Sequence, residues 1–114
     1  MIPFTETHAI IGKKAKINFP EMEAEVSYLS ETELRWETQD KDGDKSSGVE
    51  SVSYKRLTDN LHFINWIEKD GFTVSQVIDS EGGSVKAYWS YADAESSKGQ
   101  RGAQFVDAKF QLLG

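Results

Sequence analysis

Cysteine is absent from the 114 residues, and with it go disulfides, thiolate nucleophiles and thiolate metal sites. No apolar run approaches the roughly 20 residues of a membrane-spanning helix, so no membrane is expected as a partner. The opening residues, MIPFTETHAIIGKK, lack a basic segment followed by an apolar stretch and a small-residue cleavage site. No secretory signal is therefore read there, and the expected compartment is cytoplasmic. Basic residues are the minority, 13 against 19 acidic, for a net charge of −6. A phosphate backbone would be repelled by such a surface, so nucleic acid is not an expected partner. The one local group, Lys13, Lys14 and Lys16, splits across both faces of a strand and reads as solvated surface.

Familiar catalytic and metal motifs are also missing. The two histidines, His8 and His62, are too few for zinc without carboxylate help. There is no Gly-x-Ser-x-Gly elbow. Glu81-Gly82-Gly83-Ser84 lies between strand-like segments, with no helix start after it to hold phosphate. Asp40-Lys41-Asp42-Gly43-Asp44 has a calcium-loop look, but Gly43 precedes Asp44 and the twelfth position is Ser51 instead of Glu. It reads as a solvated hairpin tip. No metal and no cofactor are expected.

What the chain does contain is alternation. Its 38% apolar and 11% aromatic content suits one core, and its length suits a single domain over 1–114. Strands are expected near residues 13–19, 22–29, 33–38, 49–57, 61–68, 72–79, 85–91 and 103–112, separated by turn residues. About eight strands at this spacing predict an all-β antiparallel meander, closed as a small barrel or folded as a sandwich. Only residues 3–11 read as a helix, a short N-terminal one able to plug a barrel end. Met22, Ala24, Val26 and Tyr28 form an inward set, as do Leu34 and Trp36.

The segment from Asn60 to Glu81 decides which polar groups face inward. His62, Trp66 and Glu68 share one face of a strand. A three-residue loop at Lys69-Asp70-Gly71 sets Glu68 against Phe72 and Trp66 against Val74. A two-residue loop at Gly82-Gly83 would set Val74, Gln76 and Ile78 against Tyr91, Trp89 and Ala87. Ile64, Trp66, Phe72, Val74, Ile78, Trp89 and Tyr91 then share one face, and a one-residue slip would destroy that coherence. A three-residue loop at Thr58-Asp59-Asn60 pairs Arg56 with His62, Tyr54 with Ile64, Val52 with Trp66 and Glu50 with Glu68. Two facing carboxylates inside a barrel would repel and hold a proton to higher pH. Phe63 and Ile67 fall on the outer face, where they predict a homodimer or another covering element.

With this hairpin placed, the run from Asn60 to Glu68, then Gly71 and Thr73-Val74-Ser75, resembles the MoaF-like family of calycin-type barrels. The phenolic acid decarboxylases resemble it more distantly. The likeness is strongest from Leu57 to Asp79 and rests on the strand–Trp-x-Glu–turn–strand pattern. It implies an antiparallel, lipocalin-like barrel with an internal cavity, often dimeric. In the decarboxylases a Glu in the Trp-x-Glu segment is catalytic, and Glu68 matches it. Two tyrosines there hold the substrate carboxylate; Ile17 and Phe19 stand in the matching places and cannot donate hydrogen bonds. The decarboxylase arginine also lacks a counterpart, since Val49 or Glu50 falls near it. These departures argue against phenolic acid decarboxylation.

The expected function is binding of a small molecule inside the barrel, with Trp36, Glu50, Tyr54, Trp66, Trp89 and Tyr91 as contact residues. The alternative is a lyase or isomerase using Glu68 as general acid or base, assisted by His62 or Tyr54. A third reading is a structural or partner-binding module whose interior is filled by its own side chains.

Overall fold

The computed structural model describes residues 9–113. They form β1 (Lys14–Asn18), β2 (Met22–Tyr28), β3 (Glu33–Asp40), β4 (Lys45–Arg56), β5 (Leu61–Ile67), β6 (Thr73–Asp79), β7 (Ser84–Ala92) and β8 (Arg101–Leu112). Each strand is antiparallel to its neighbours in sequence, and β8 returns to β1 to close the barrel. Closure leaves no sheet edge open, and it requires one face of every strand to point inward. The alternation in the sequence satisfies that demand. In β2, Ala24, Val26 and Tyr28 are buried, while Glu23 and Glu25 face out. The latter two meet Lys16 and Lys14 across β1 at 2.9 and 3.2 Å, so these two lysines are solvated strand surface, while Lys13 precedes the strand.

Among the described residues there is no helix, and so none long and apolar enough to cross a membrane. The helix expected over 3–11 falls mainly outside the described residues, as does His8; residues 9–11 are not helical. Ile10 is nevertheless fully buried and closes one end of the barrel. The adjoining Gly12 N–H donates to Tyr28 O at 2.7 Å, and Lys13 N–H to Ile10 O at 3.0 Å. Tyr28, Leu34, His62, Ile78 and Val85, all fully buried, pack this same end.

Two of the three expected loop lengths hold. Leu57 N–H donates to Leu61 O at 2.8 Å across Thr58-Asp59-Asn60. Glu68 N–H donates to Phe72 O at 2.7 Å across Lys69-Asp70-Gly71, with Gly71 at φ 89°, the left-handed conformation that turn requires. The third loop is different. Asp79 pairs with Ser84, so Val74, Gln76 and Ile78 oppose Trp89, Ala87 and Val85. The loop is longer because the Asp79 side chain organises it. Its Oδ1 accepts from the N–H groups of Glu81 and Gly82 at 3.1 and 2.8 Å. Gly83 N–H donates to Asp79 O at 2.9 Å. The shift is by two residues, so every side chain keeps its expected face. A second correction concerns β4, which begins at Lys45 and not near Val49. Its polar start, Lys45-Ser46-Ser47-Gly48, reads as loop but completes the hairpin with β3, pairing Gly48 with Trp36.

Candidate functional site

Opposite the packed end, the barrel interior is open. A cavity of about 640 Å³ enters between the β1–β2, β3–β4 and β5–β6 turns. Its wall is mainly aromatic and aliphatic, with Phe19, Trp36, Trp66, Phe72, Val74 and Trp89 prominent. These groups hold one another in place. Trp89 meets Phe19 and Phe72 at centroid separations of 5.5 and 5.9 Å, and Tyr91 stacks on Phe72 from behind at 6.1 Å. Offset and tilted contacts of this kind add to the burial of apolar area.

Trp36 owes its position to a glycine. A Cβ at position 48 would come within 2.8 Å of Trp36 Cζ2, so only glycine lets the indole lie against β4. Its Nε1–H donates to Glu50 Oε2 at 2.9 Å. Trp66 makes the matching bond, from Nε1–H to Glu68 Oε2 at 3.2 Å. Both indoles are thereby oriented by a carboxylate, and Glu68 itself lines the cavity. Burial holds the Glu68 carboxyl above its ordinary pKa. The Trp66 hydrogen bond opposes this rise, while negative charge on Glu50 and Asp70 adds to it.

Below the cavity lies a buried polar chain. Tyr54 Oη is 2.7 Å from His62 Nδ1, and His62 Nε2 is 3.2 Å from Ser80 Oγ. Ser80 Oγ in turn donates to Asn60 O at 3.2 Å. His62 is 0% exposed. Chiefly through burial, the Tyr54 hydroxyl is pushed above its ordinary pKa, against the pull of the Arg56 charge. The Tyr28 hydroxyl nearby has no hydrogen-bond partner among the described residues, and burial raises its pKa strongly.

The residues proposed from sequence therefore divide into three groups. Trp36, Trp66, Glu68 and Trp89 line the cavity. Glu50 and Tyr91 stand behind that lining, holding Trp36 and Phe72. Tyr54 and His62 belong to the floor, bonded to each other, and do not line the cavity. Sequence reasoning missed Gln104 and Asp40 as lining groups, and gave no role to Phe19 or Gln76. Their inward parity was the available signal: Gln104 pairs with Trp89, and Gln76 with Ile64.

The Asp40, Asp42 and Asp44 carboxylates lie within 4.8 Å of one another on an exposed turn. Asp40 Oδ1 accepts from the N–H groups of Asp42 and Asp44, both at 2.9 Å. That side-chain turn accounts for the proximity. A second concavity, between Arg35, Glu37 and Lys45 on the outer surface, is open and polar.

Comparison with known proteins bears on both fold and family. The model of the MoaF-like family matches residues 11–101. Among curated proteins the sequence comparison finds no match. The structure is similar to the crystal structure of a Burkholderia vietnamiensis protein provisionally described as a beta-lactamase. The TM-score is 0.74 at 15% identity, over 91% of this chain and 95% of that one. At this identity the likeness establishes a shared fold and nothing about chemistry.

Proposed function

The chain belongs to the MoaF-like family, and from that premise and the interior geometry we propose that it binds a small molecule inside the barrel. The observation that carries this reading is the cavity: about 640 Å³, open at one end and walled by aromatic groups. Ligand sites commonly have that size and an apolar lining with a few polar groups. Such a volume argues against a barrel filled by its own side chains. Native mass spectrometry of the purified protein tests the proposal. A discrete adduct that is lost on denaturation supports it, and a single ligand-free mass from every preparation and every added small molecule contradicts it.

A second reading rests on Glu68. A carboxyl with raised pKa at the mouth of an apolar cavity suits general acid–base chemistry, as in a lyase or isomerase. His62 and Tyr54 assist such chemistry only by supporting the floor, since neither lines the cavity. Under this reading Glu68→Gln abolishes turnover of a bound compound while leaving its binding in place.

Assembly and compartment complete the proposal. Phe63, Ile67, Tyr88 and Phe105 point outward from β5, β7 and β8 and are 41, 66, 42 and 79% exposed. Large apolar groups left on the outer wall favour an interface, and a homodimer covering them is the proposed assembly. The proposed compartment is the cytoplasm, with which a chain without cysteine is compatible.

A further inference from the structure

The cavity is charged as well as apolar, and its charge has one sign. Glu21, Asp40, Glu68 and Asp70 belong to its lining, and no lysine, arginine or histidine among the described residues does. Glu21 is partly neutralised by Lys41 at 2.9 Å. Arg101, which borders the Gly71 turn, faces away from the interior. Its Nη2 donates to Gly71 O and to Ser90 Oγ, both at 3.1 Å, on the outer side of the sheet. The remaining carboxylates stand at the mouth, above the three tryptophans that this chain possesses, Trp36, Trp66 and Trp89. Deeper in lies Gln76. It is 5% exposed, lines the cavity, and its amide has no hydrogen-bond partner among the described residues. Its amide atoms are not among the fully buried ones that lack a partner, so they open onto the cavity. Gln76 therefore presents a free donor and a free acceptor to whatever enters.

Resting on the ligand-binding reading above, we infer that the ligand is an organic cation: an ammonium compound with an aromatic or alkyl body and one polar group. Its body packs between the indoles, its polar group reaches the Gln76 amide, and its positive end lies at the carboxylate mouth. Two physical effects select the charge. Indole faces attract cations through the ring quadrupole, worth about 0.5–2 kcal/mol depending on desolvation. Carboxylates at the edge of a low-dielectric cavity attract the same charge and repel an anion. The Glu50 and Glu68 carboxylates accept the N–H groups of Trp36 and Trp66, so neither indole has its donor left for an anionic group. Around Glu68 stand Trp66 near the end of β5, Glu50 on β4 and Asp70 in the turn. None of these is basic, so a bound cation supplies counter-charge at this carboxyl.

The test compares three probes with one body and three charges: 3-phenylpropyl-trimethylammonium, 3-phenylpropanol and 3-phenylpropanoate. All three tryptophans line the cavity, so quenching of intrinsic fluorescence reports its occupancy directly. At pH 8 and low salt the cation should bind about tenfold tighter than the alcohol, equivalent to ~1.4 kcal/mol, with the anion weakest. Glu68→Gln and Asp70→Asn, each verified as folded by circular dichroism, should weaken the cation several-fold more than they weaken the alcohol, and an equal loss for both probes would overturn the assignment of charge. Gln76→Leu should weaken the alcohol. Equal affinities for cation and alcohol, or preference for the anion, would overturn the assignment of charge while leaving the cavity as a binding site. Failure of all three probes to quench would remove the ligand-binding reading and this inference together.

Discussion

Trp66 donates its indole N–H to the carboxylate of Glu68, two residues further along, at 3.2 Å. The bond joins one of the three indoles of the cavity wall to the charge at its mouth. It also affects how the carboxyl titrates, because burial raises the pKa and this hydrogen bond only partly offsets the rise.

A carboxyl whose pKa is higher folded than unfolded binds its proton more tightly in the native state. Stability from this group is therefore greatest at low pH and declines as pH rises from the unfolded value, about 4.3 for Glu, through the folded one. Glu68→Gln should raise the melting temperature at pH 7 and leave it unchanged at a pH below the unfolded value. Carbon-13 NMR of the glutamate carboxyls should place Glu68 above its ordinary value. A Glu68 signal titrating at or below it would contradict this account of the mouth.

The Tyr54–His62 bond at 2.7 Å, on a fully buried imidazole, predicts a structural cost without a binding one. Tyr54→Phe should lower stability by about 1–3 kcal/mol, since one buried group loses its partner. Urea unfolding would measure the loss. Probe affinity should be unchanged, because neither residue lines the cavity.

Tyr28 predicts the opposite sign. Its buried hydroxyl has no partner among the described residues, so Tyr28→Phe removes a desolvated polar group and keeps the ring. Stability should rise by roughly 1 kcal/mol, seen as a higher urea midpoint at unchanged slope.

Gly48 makes room for Trp36, since a methyl group in place of its Cα hydrogen would stand 2.8 Å from the ring. Gly48→Ala should force the indole off its rotamer, cost about 1–3 kcal/mol, and red-shift the tryptophan emission as Trp36 loses its seat. An unshifted spectrum would show that the ring does not depend on this glycine.

The outer face of β5, β7 and β8 predicts assembly. Phe63→Glu or Phe105→Glu should convert a dimer to a monomer in sedimentation velocity while the β circular dichroism spectrum is kept. A wild-type chain that sediments as a monomer at all concentrations would refute the proposed interface.

Much of this architecture was legible in the sequence because closed barrels impose a strict alternation. The inward set of β2, the pairing of Trp66 with Val74 and the pairing of Arg56 with His62 follow from parity and turn chemistry alone. The β6–β7 loop was not legible, because two glycines suggest the shorter turn and the Asp79 carboxylate that lengthens it acts in three dimensions. The start of β4 was hidden for a related reason. Lys45-Ser46-Ser47-Gly48 has no apolar side chain, yet Gly48 is the seat of a tryptophan on the neighbouring strand. For the site, parity established which residues face inward but not their depth. His62 and Tyr54 share a face with Trp66 and Gly48 respectively, and depth along the barrel axis separates floor from wall.

Whether the interior is a binding cavity is tested most directly with a neutral apolar fluorophore. Titration with N-phenyl-1-naphthylamine should give saturable one-to-one binding with energy transfer from tryptophan. Ala24→Trp fills the same space from the wall and should abolish that binding while the β circular dichroism spectrum is retained. No saturable binding by the wild-type protein, or undiminished binding by a folded Ala24→Trp, would contradict the cavity's role.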